Sequence, residues 1–593
     1  MQGENGNYQT DYNLGAKQKT SAGTALRKMF RFMKGEKKNL LVAFFVMMLN
    51  AGITMLTPYL VGYIVDHFIL KKQYGPLMQY SALLLGIYIV WAGTEYLQAK
   101  LMGGVGQRML YLLRNEVFNK LQQLPVAFFN SNRSGDLISR INNDTDTVNQ
   151  FFSQSLMRFM DSIFSMIGVA VFVLSIHWQL GAASLAPAVF ILLFVLLVSP
   201  WVRKKNAISL KANGGLSANI QEGLHNFKTI VAFNRRDYFR DRFAKSNEEN
   251  YKTAIAAGIA NNLFTPVFGF FSNLAQLIVL GFGIYLILNG QFTIGLLISF
   301  MSYVQFFYRP LRELAALWAS FQTALAAWDR ISVILSRQSN LPVLSKTEKG
   351  APVPGAIMAF RQVSFHYPGG KNVLHAVSFE MQPGKTYALV GPTGGGKSTT
   401  AALIARLYDP SEGTVLLKGI DIRTYTAEER TQAIGFILQE PFLFTGTLRE
   451  NILYGNTALH RLNNEQLLQV ISDAGLNDLL SRFDTGLDTP LRASADSVSL
   501  GQKQLIAFIR AVLRKPQIVI LDEATANIDT VTEKLLDGIL DRLPATTTKI
   551  IIAHRLNTIE NADEIFFVNA GELIPAGTLE HAMDMLLQHK RAS

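Results

Sequence analysis

The sequence predicts a two-part fold: an all-α membrane domain of six transmembrane helices, followed by a cytosolic α/β domain of the P-loop kind. Three observations predict it. Long stretches of the first half carry no charged residue. The second half alternates short β-branched runs with helical ones, as at Ile434–Leu438, Ile518–Leu521 and Lys549–Ala553, which is the texture of a mostly parallel sheet. Between these, Gly391-Pro-Thr-Gly-Gly-Gly-Lys397-Ser398 follows the apolar run Tyr387–Val390 and opens a helix-like run from Thr399.

In chain order, residues 1–22 are polar, rich in Gly, Asn and Gln, and predict a disordered tail without a cleavable signal peptide. Leu40–Val65, Gln73–Thr94 and Thr253–Tyr308 hold no charged residue, and Ser162–Val202 holds only His177. One crossing takes about 20 apolar residues, so the last two runs each accommodate two. Polar breaks at His177–Gly181 and Asn289–Gln291 close the hairpins. The expected spans lie near 40–66, 76–98, 155–176, 182–202, 262–288 and 293–318. A buried core helix explains one such run but not six in series.

Charge sets the orientation. Arg27, Lys28, Arg31, Lys34, Lys37 and Lys38 precede the first span, and 103–150 and 203–252 are rich in Lys and Arg. The breaks at 177–181 and 289–291 carry none, although Lys71 and Lys72 sit on an outer loop. The positive-inside rule places both termini and the two long loops in the cytoplasm. The net charge of +12 follows from these loops and their contact with anionic lipid, and no nucleic-acid partner is needed. With no cysteine, disulfides, thiolate metal sites and cysteine nucleophiles are excluded.

The two long loops show helical periodicity and extend the spans beyond the bilayer. Each is broken once, at Leu124–Phe129 and at Glu222–Lys228, giving short apolar knobs suited to docking on a soluble domain. The Pro/Gly-containing linker Ser345–Gly355 marks a boundary. The expected domains are therefore a tail (1–22), a six-span membrane domain with cytoplasmic extensions (23–345) and the α/β domain (346–593).

The residues 391–398 match G-x-x-x-x-G-K-[ST] in its strand–loop–helix context. Gly391, Gly394 and Gly396 let the backbone curl around Thr393, so that N–H groups and the helix start at Thr399 point at a polyphosphate. Lys397 reaches the β/γ-phosphates and Ser398 binds Mg²⁺, which makes a nucleoside triphosphate the ligand. Asp522, ending an apolar strand, is placed to hold Mg²⁺, and Glu523 to polarise the attacking water. Alone, an Asp-Glu pair is more often a solvated strand end; beside a phosphate loop the functional reading dominates. Val498-Ser-Leu-Gly-Gln502 precedes a helix over Lys503–Val512, and Ser499 and Gly501 offer a second anion grip.

In this order the residues resemble the ATP-binding cassette (ABC) family across the whole chain. Tyr367 matches the adenine-stacking aromatic, 391–398 the Walker A loop, Gln439 the Q-loop and 498–502 the signature motif. Residues 518–523 match Walker B, Ala526–Asp529 the D-loop and His554 the switch histidine. The resemblance implies a half-exporter of the multidrug and lipid-flippase kind that binds ATP and Mg²⁺. It makes Glu523, His554 and Gln439 catalytic, Ser398, Gln439 and Asp522 the metal's neighbours, and Ser499, Gly501, Gln502 and Asp529 nucleotide contacts. Residues 128–140 and 222–235 are similar to the family's coupling helices. Two departures stand out: Leu500 replaces the usual Gly of the signature, and Arg492–Ala495 stands where a Gly-Glu-Arg-Gly segment is common.

The resulting expectation is an ATP-driven exporter of a small amphipathic substrate in a bacterial inner membrane, cassette inside. Its partner is a second copy of itself or a similar half-transporter. An ATP-gated channel is an alternative. The uncharged runs argue against a further alternative, an ABC ATPase acting on nucleic acid.

Overall fold

The computed structural model describes residues 21–337, 341–344, 355–439, 441–480, 483, 486–492, 498–522, 530–552, 562–578 and 580–585. The chain forms two compact units. The helical unit runs through Leu121 and resumes from Gly135 to Ser336; the other takes Gln122–Ser134 together with the chain from Arg337 onward.

In the helical unit, Lys34–Ile69, Tyr74–Gln122, Ser134–Ile176, Trp178–His225 and Arg236–Leu288 are long and apolar enough to cross a membrane. The sixth helix, Ile294–Ser336, has 43 residues. It is uncharged as far as Tyr308 and then carries Arg309, Arg312 and Glu313. Large apolar side chains such as Leu83, Ile89, Leu196, Leu197 and Leu277 are more than half exposed. Such surface is stable only where lipid replaces water.

The turn expected over His177–Gly181 contracts to His177 alone. Its Nδ1 accepts from the Leu180 N–H at 3.2 Å, and this cap lets the next helix start at Trp178. Asn289–Gln291 does turn, with Gly290 at φ +70°. The first and sixth helices approach closely because both present glycine. A Cβ on Gly295 would lie 1.9 Å from the Gly62 carbonyl oxygen, and the Ser299 hydroxyl donates to the Pro58 carbonyl at 2.7 Å.

Tyr74–Gln122 and Trp178–His225 have 49 and 48 residues. At 1.5 Å per residue each spans about 70 Å, more than twice the roughly 30 Å of bilayer hydrocarbon. Their breaks hold short helices at Val126–Ser131 and Phe227–Ala232, where the sequence places the apolar knobs.

The second unit contains two main sheets. One is antiparallel, in the order β2 (Asn372–Met381), β1 (Met358–His366), β4 (Glu412–Leu417) and β5 (Ile420–Asp421). Phe360 pairs with Phe379 across it, their rings stacked at 4.4 Å. The other is ordered β12 (Glu572–Pro575), β11 (Glu564–Asn569), β3 (Thr386–Val390), β10 (Thr548–Ile552), β9 (Ile518–Asp522) and β6 (Ile434–Ile437). All its pairs are parallel except β11 with β12. Its central strands are unbroken apolar runs because both faces are buried. A small ladder joins β7 (Gly446–Thr447) to β8 (Pro490–Leu491).

Candidate functional site

The parallel sheet carries the site on its C-terminal edge. Register levels Leu389 of β3, Ile552 of β10 and Asp522 of β9, so the loop leaving β3 and the acid ending β9 face one another across a single strand. Gly391 has φ +150°, and a Cβ there would lie 2.0 Å from the Val568 carbonyl oxygen at the end of β11. Only glycine fits that backbone and that approach. The helix Lys397–Ile404 follows, with Gly396 at φ +116° as its N-cap. Its start two residues before Thr399 brings Lys397 and Ser398 into the first turn, where N–H groups lack intrahelical partners.

Lys397 is 6% exposed, and its ammonium donates to the carbonyl oxygens of Gly391 at 2.7 Å and Pro392 at 3.0 Å. The loop thus holds a cation against its own backbone. Thr393 and Gly394 lie exposed, and no protein atom comes within 4 Å of a Cβ built on Gly394. The Ser398 hydroxyl donates to Asp522 Oδ1 at 3.3 Å, although the two are far apart in sequence. A hydroxyl and a carboxylate at this separation, exposed on the Ser398 side, are hard oxygen donors of the kind Mg²⁺ takes. Gln439 stands two residues past the end of β6 on the same edge.

Tyr367 reaches the same loop. Its hydroxyl is 3.0 Å from Thr399 Oγ1, and its ring meets Phe365 and Tyr408 edge-on at 5.0 and 5.2 Å. Tyr408 is an element the sequence reading missed. Its hydroxyl accepts from Asn130 Nδ2 at 2.7 Å, and burial raises its pKa while the Asn130 bond lowers it. Asn130 belongs to the first knob, where Phe128 is fully buried.

The signature motif differs from the expectation in one respect. The helix begins at Leu500, not Lys503. Ser499 Oγ accepts from Gln502 N at 3.2 Å and Gln502 Oε1 accepts from Ser499 N at 3.0 Å. This reciprocal capping box turns 500–502 into the first helical turn. Ser499 keeps its own proton for donation, since capping uses only a lone pair. Glu523, Asp529, His554 and residues 493–495 lie outside the described residues.

In the last turn of this helix, Arg510 donates to the Asn451 carbonyl at 2.8 Å and lies 5.3 Å from the Tyr454 ring centroid. Burial pulls its pKa below the ordinary arginine value. Around it, Phe442 is 60% and Tyr454 49% exposed, an aromatic patch on the domain surface.

The comparisons with known proteins agree with this geometry. A family model described as the ABC transporter transmembrane region matches residues 40–311, and one described as ABC transporter matches 374–526. An uncharacterized ABC transporter ATP-binding protein of Bacillus subtilis, YfiC, is 33% identical over 95% of this chain and 92% of its own. A fatty acid ABC transporter ATP-binding/permease protein of Mycobacterium bovis is 31% identical over 84% of this chain and 78% of its own. A multidrug resistance ABC transporter ATP-binding and permease protein of Lactococcus lactis is 29% identical over 93% of both.

Proposed function

Because the chain belongs to the ABC transporter family, with a transmembrane region fused to an ATPase domain that drives transport across a membrane, we propose that it works as a homodimeric exporter of amphipathic cargo. One observation carries this reading, the contrast between the two cytoplasmic knobs. The first is closed over, with Phe128 buried and Asn130 bonded to Tyr408. The second leaves Leu224 73%, Phe227 55% and Phe233 74% exposed. Apolar surface of this kind at the tip of a long lever calls for a cover. The aromatic patch of Phe442 and Tyr454 on a second copy supplies one of matching chemistry.

In the dimer, ATP lies between the 391–398 loop of one copy and the Ser499 helix start of the other. Lys397 leaves the Gly391 and Pro392 carbonyls for the phosphates, and Ser499 donates to them from the opposite side. Ser398 and Asp522, with Gln439 beside them, hold Mg²⁺, which supplies charge neutralisation at the transferred phosphoryl group. Glu523 accepts the proton of the attacking water, and His554 and Asp529 complete the pocket as the family resemblance implies. Closure draws the knobs together and turns the spans outward; hydrolysis resets them. The cycle is alternating access driven by the differing affinity of two states for ATP. The basic loops support a cytoplasmic cassette in an inner membrane, and relatives named for fatty acids and multidrug resistance support amphipathic cargo.

The test mixes Ser499→Arg with Lys397→Ala and isolates the mixed dimer by two tags. With shared sites, one composite site carries both lesions and the other none, so ATP binding recovers at the intact site. With each cassette working alone, both sites are damaged. A mixed dimer that binds no ATP, beside an active control, refutes the shared-site homodimer.

A further inference from the structure

The third membrane helix, Ser134–Ile176, is not α-helical throughout. It opens into π turns at Arg140–Asp144 and Phe151–Ser155, with the α-helical segment Thr145–Gln150 between them. A π turn holds one residue more than an α turn and occurs mostly at functional positions. The sixth helix runs antiparallel alongside. Arg140 Nη1 donates to the Arg330 carbonyl at 2.8 Å, and Arg330 Nε pairs with Asp144 at 2.8 Å. Further along, the Phe151 and Phe321 rings lie 5.3 Å apart and the Ser155 and Ser320 hydroxyls 2.8 Å apart. These contacts bracket Thr145–Gln150 against the stretch of the sixth helix that holds Trp328.

Two polar groups inside that bracket are buried without a partner. Asn149 is 8% exposed and Trp328 2%, and among the described residues no group bonds Asn149 Oδ1 or Trp328 Nε1. Their polar neighbours are taken. Arg114 donates to Thr145 Oγ1 at 3.3 Å and to Asp146 at 3.0 Å, and the Thr145 hydroxyl donates to the Ile141 carbonyl. The Asn149 amide rests instead on Gly106 of the second helix, where a Cβ would lie 2.6 Å from Asn149 Oδ1 and 2.4 Å from Ser153 Cβ. A buried amide oxygen and a buried indole N–H each lose water and gain nothing here. One is an acceptor and the other a donor, so each is the partner that the other lacks. By the bracketing contacts, Trp328 stands about three residues, or about 4.5 Å along the axis, from the level of Asn149.

Resting on the reading that the chain alternates between two states, we propose that Thr145–Gln150 is a register switch in the third helix. In the second state, the ATP-closed one, the extra residue of the Phe151–Ser155 turn has moved back through the segment. Each residue that it passes turns by about 100° and moves about 1.5 Å toward the start of the helix, which is toward the level of Trp328. The helix ends stay where they are, so the span rotates locally without sliding. Asn149 leaves Gly106, and its amide oxygen accepts from the Trp328 indole N–H. The glycine permits this, since any larger residue would collide with Ser153 and Asn149. The register described here is the costlier one for both groups, so their bond biases the chain toward the second state. The bias is all-or-none, because deleting either group leaves the other without a partner in both registers.

The test uses the full chain in lipid nanodiscs, labelled with 5-fluorotryptophan. The chain has five tryptophans, and the ¹⁹F line lost in Trp328→Phe identifies that residue. Spectra are taken without nucleotide and with Mg²⁺ and a non-hydrolysable ATP analogue, and closure of the dimer is read by cross-linking. The Trp328 line is expected to move when the analogue is added. Asn149→Leu, close in size but without the amide, is expected to abolish that movement. It should also raise the analogue concentration for half-maximal closure about tenfold, which is 1.4 kcal/mol. The double variant is expected to need no more analogue than either single one, because all three remove the same bond. If Trp328→Phe fails to fold, the line is assigned by replacing the other four tryptophans in turn, and Asn149→Leu decides. A Trp328 line that ignores the analogue overturns the proposal alone, as does one that moves equally in Asn149→Leu. Failure of the unsubstituted chain to close with the analogue overturns the underlying two-state reading and this one with it.

Discussion

Two glycines of one loop separate folding from binding. Gly391→Ala places a methyl 2.0 Å from the Val568 carbonyl oxygen at φ +150°. Relieving that contact needs a shift of about 1 Å in the loop or in the end of β11, against a backbone that only glycine adopts freely. Strain of about 1–3 kcal/mol for the conformation and a similar cost for overpacking give a loss of about 2–4 kcal/mol after partial relaxation. At about 2–4 °C per kcal/mol for a domain of this size, Tm falls about 5–15 °C. Gly394→Ala meets no protein atom within 4 Å at φ +85°, so only the left-handed strain of about 1–2 kcal/mol remains, and Tm falls by a few degrees. The open space beside it is where phosphate oxygens belong, so ATP affinity falls at least about tenfold, or 1.4 kcal/mol. Scanning fluorimetry of the nanodisc-embedded chain and titration with a fluorescent ATP analogue read the two effects. Unweakened binding by Gly394→Ala would mean that the loop does not cradle phosphate. An unmoved Tm in Gly391→Ala would refute the close approach to β11.

Ser398→Ala removes the hydroxyl bonded to Asp522 and should raise the Mg²⁺ concentration needed for half-maximal ATPase several-fold, with nucleotide binding in EDTA unaltered; a magnesium titration checks it. Glu523→Gln should keep ATP binding, lower phosphate release by orders of magnitude and accumulate a closed dimer visible by crosslinking; turnover near that of the unsubstituted chain would remove Glu523 from the proton-accepting role. Ser499→Ala deletes half of the capping box, costs about 1 kcal/mol of stability and should weaken ATP-driven dimerisation more than ATP binding to the isolated loop, as measured by analytical ultracentrifugation against titration.

The phosphate loop was legible because its chemistry is local: eight consecutive residues set their own curvature, and the flanking strand and helix are visible in the same stretch. The membrane helices were legible for the same reason, since lipid imposes a length on each apolar run. Three boundaries shifted: the phosphate-loop helix starts at Lys397 rather than Thr399 behind the left-handed Gly396, and the other two shifts come from side-chain caps. His177 and Ser499 each satisfy an N–H three residues on, so helices start at Trp178 and Leu500 rather than after the polar clusters that contain those residues. The Tyr408–Asn130 contact was not legible at all. Leu407-Tyr-Asp-Pro410 has no periodicity or motif of its own, and its meaning depends on a residue 278 positions away. Pairing at that distance is decided by tertiary packing. The exposure of the second knob was equally hidden, because apolar residues at a helix break look the same whether covered or bare.

The contact between Gly391 and the Val568 carbonyl also orders events in time. A ribosome delivers residues 37–336, all six long helices, before any of the phosphate loop. It delivers β11, whose end shapes that loop, long after the loop itself. Since domains mature in the order in which they are made, the spans have left the translocation machinery before the loop acquires the strand that gives it its curvature. Throughout that interval the nascent chain holds Lys397 and Ser398 without the wall that positions them. The energy-consuming part of the molecule becomes competent last, when the membrane part it drives is already in place.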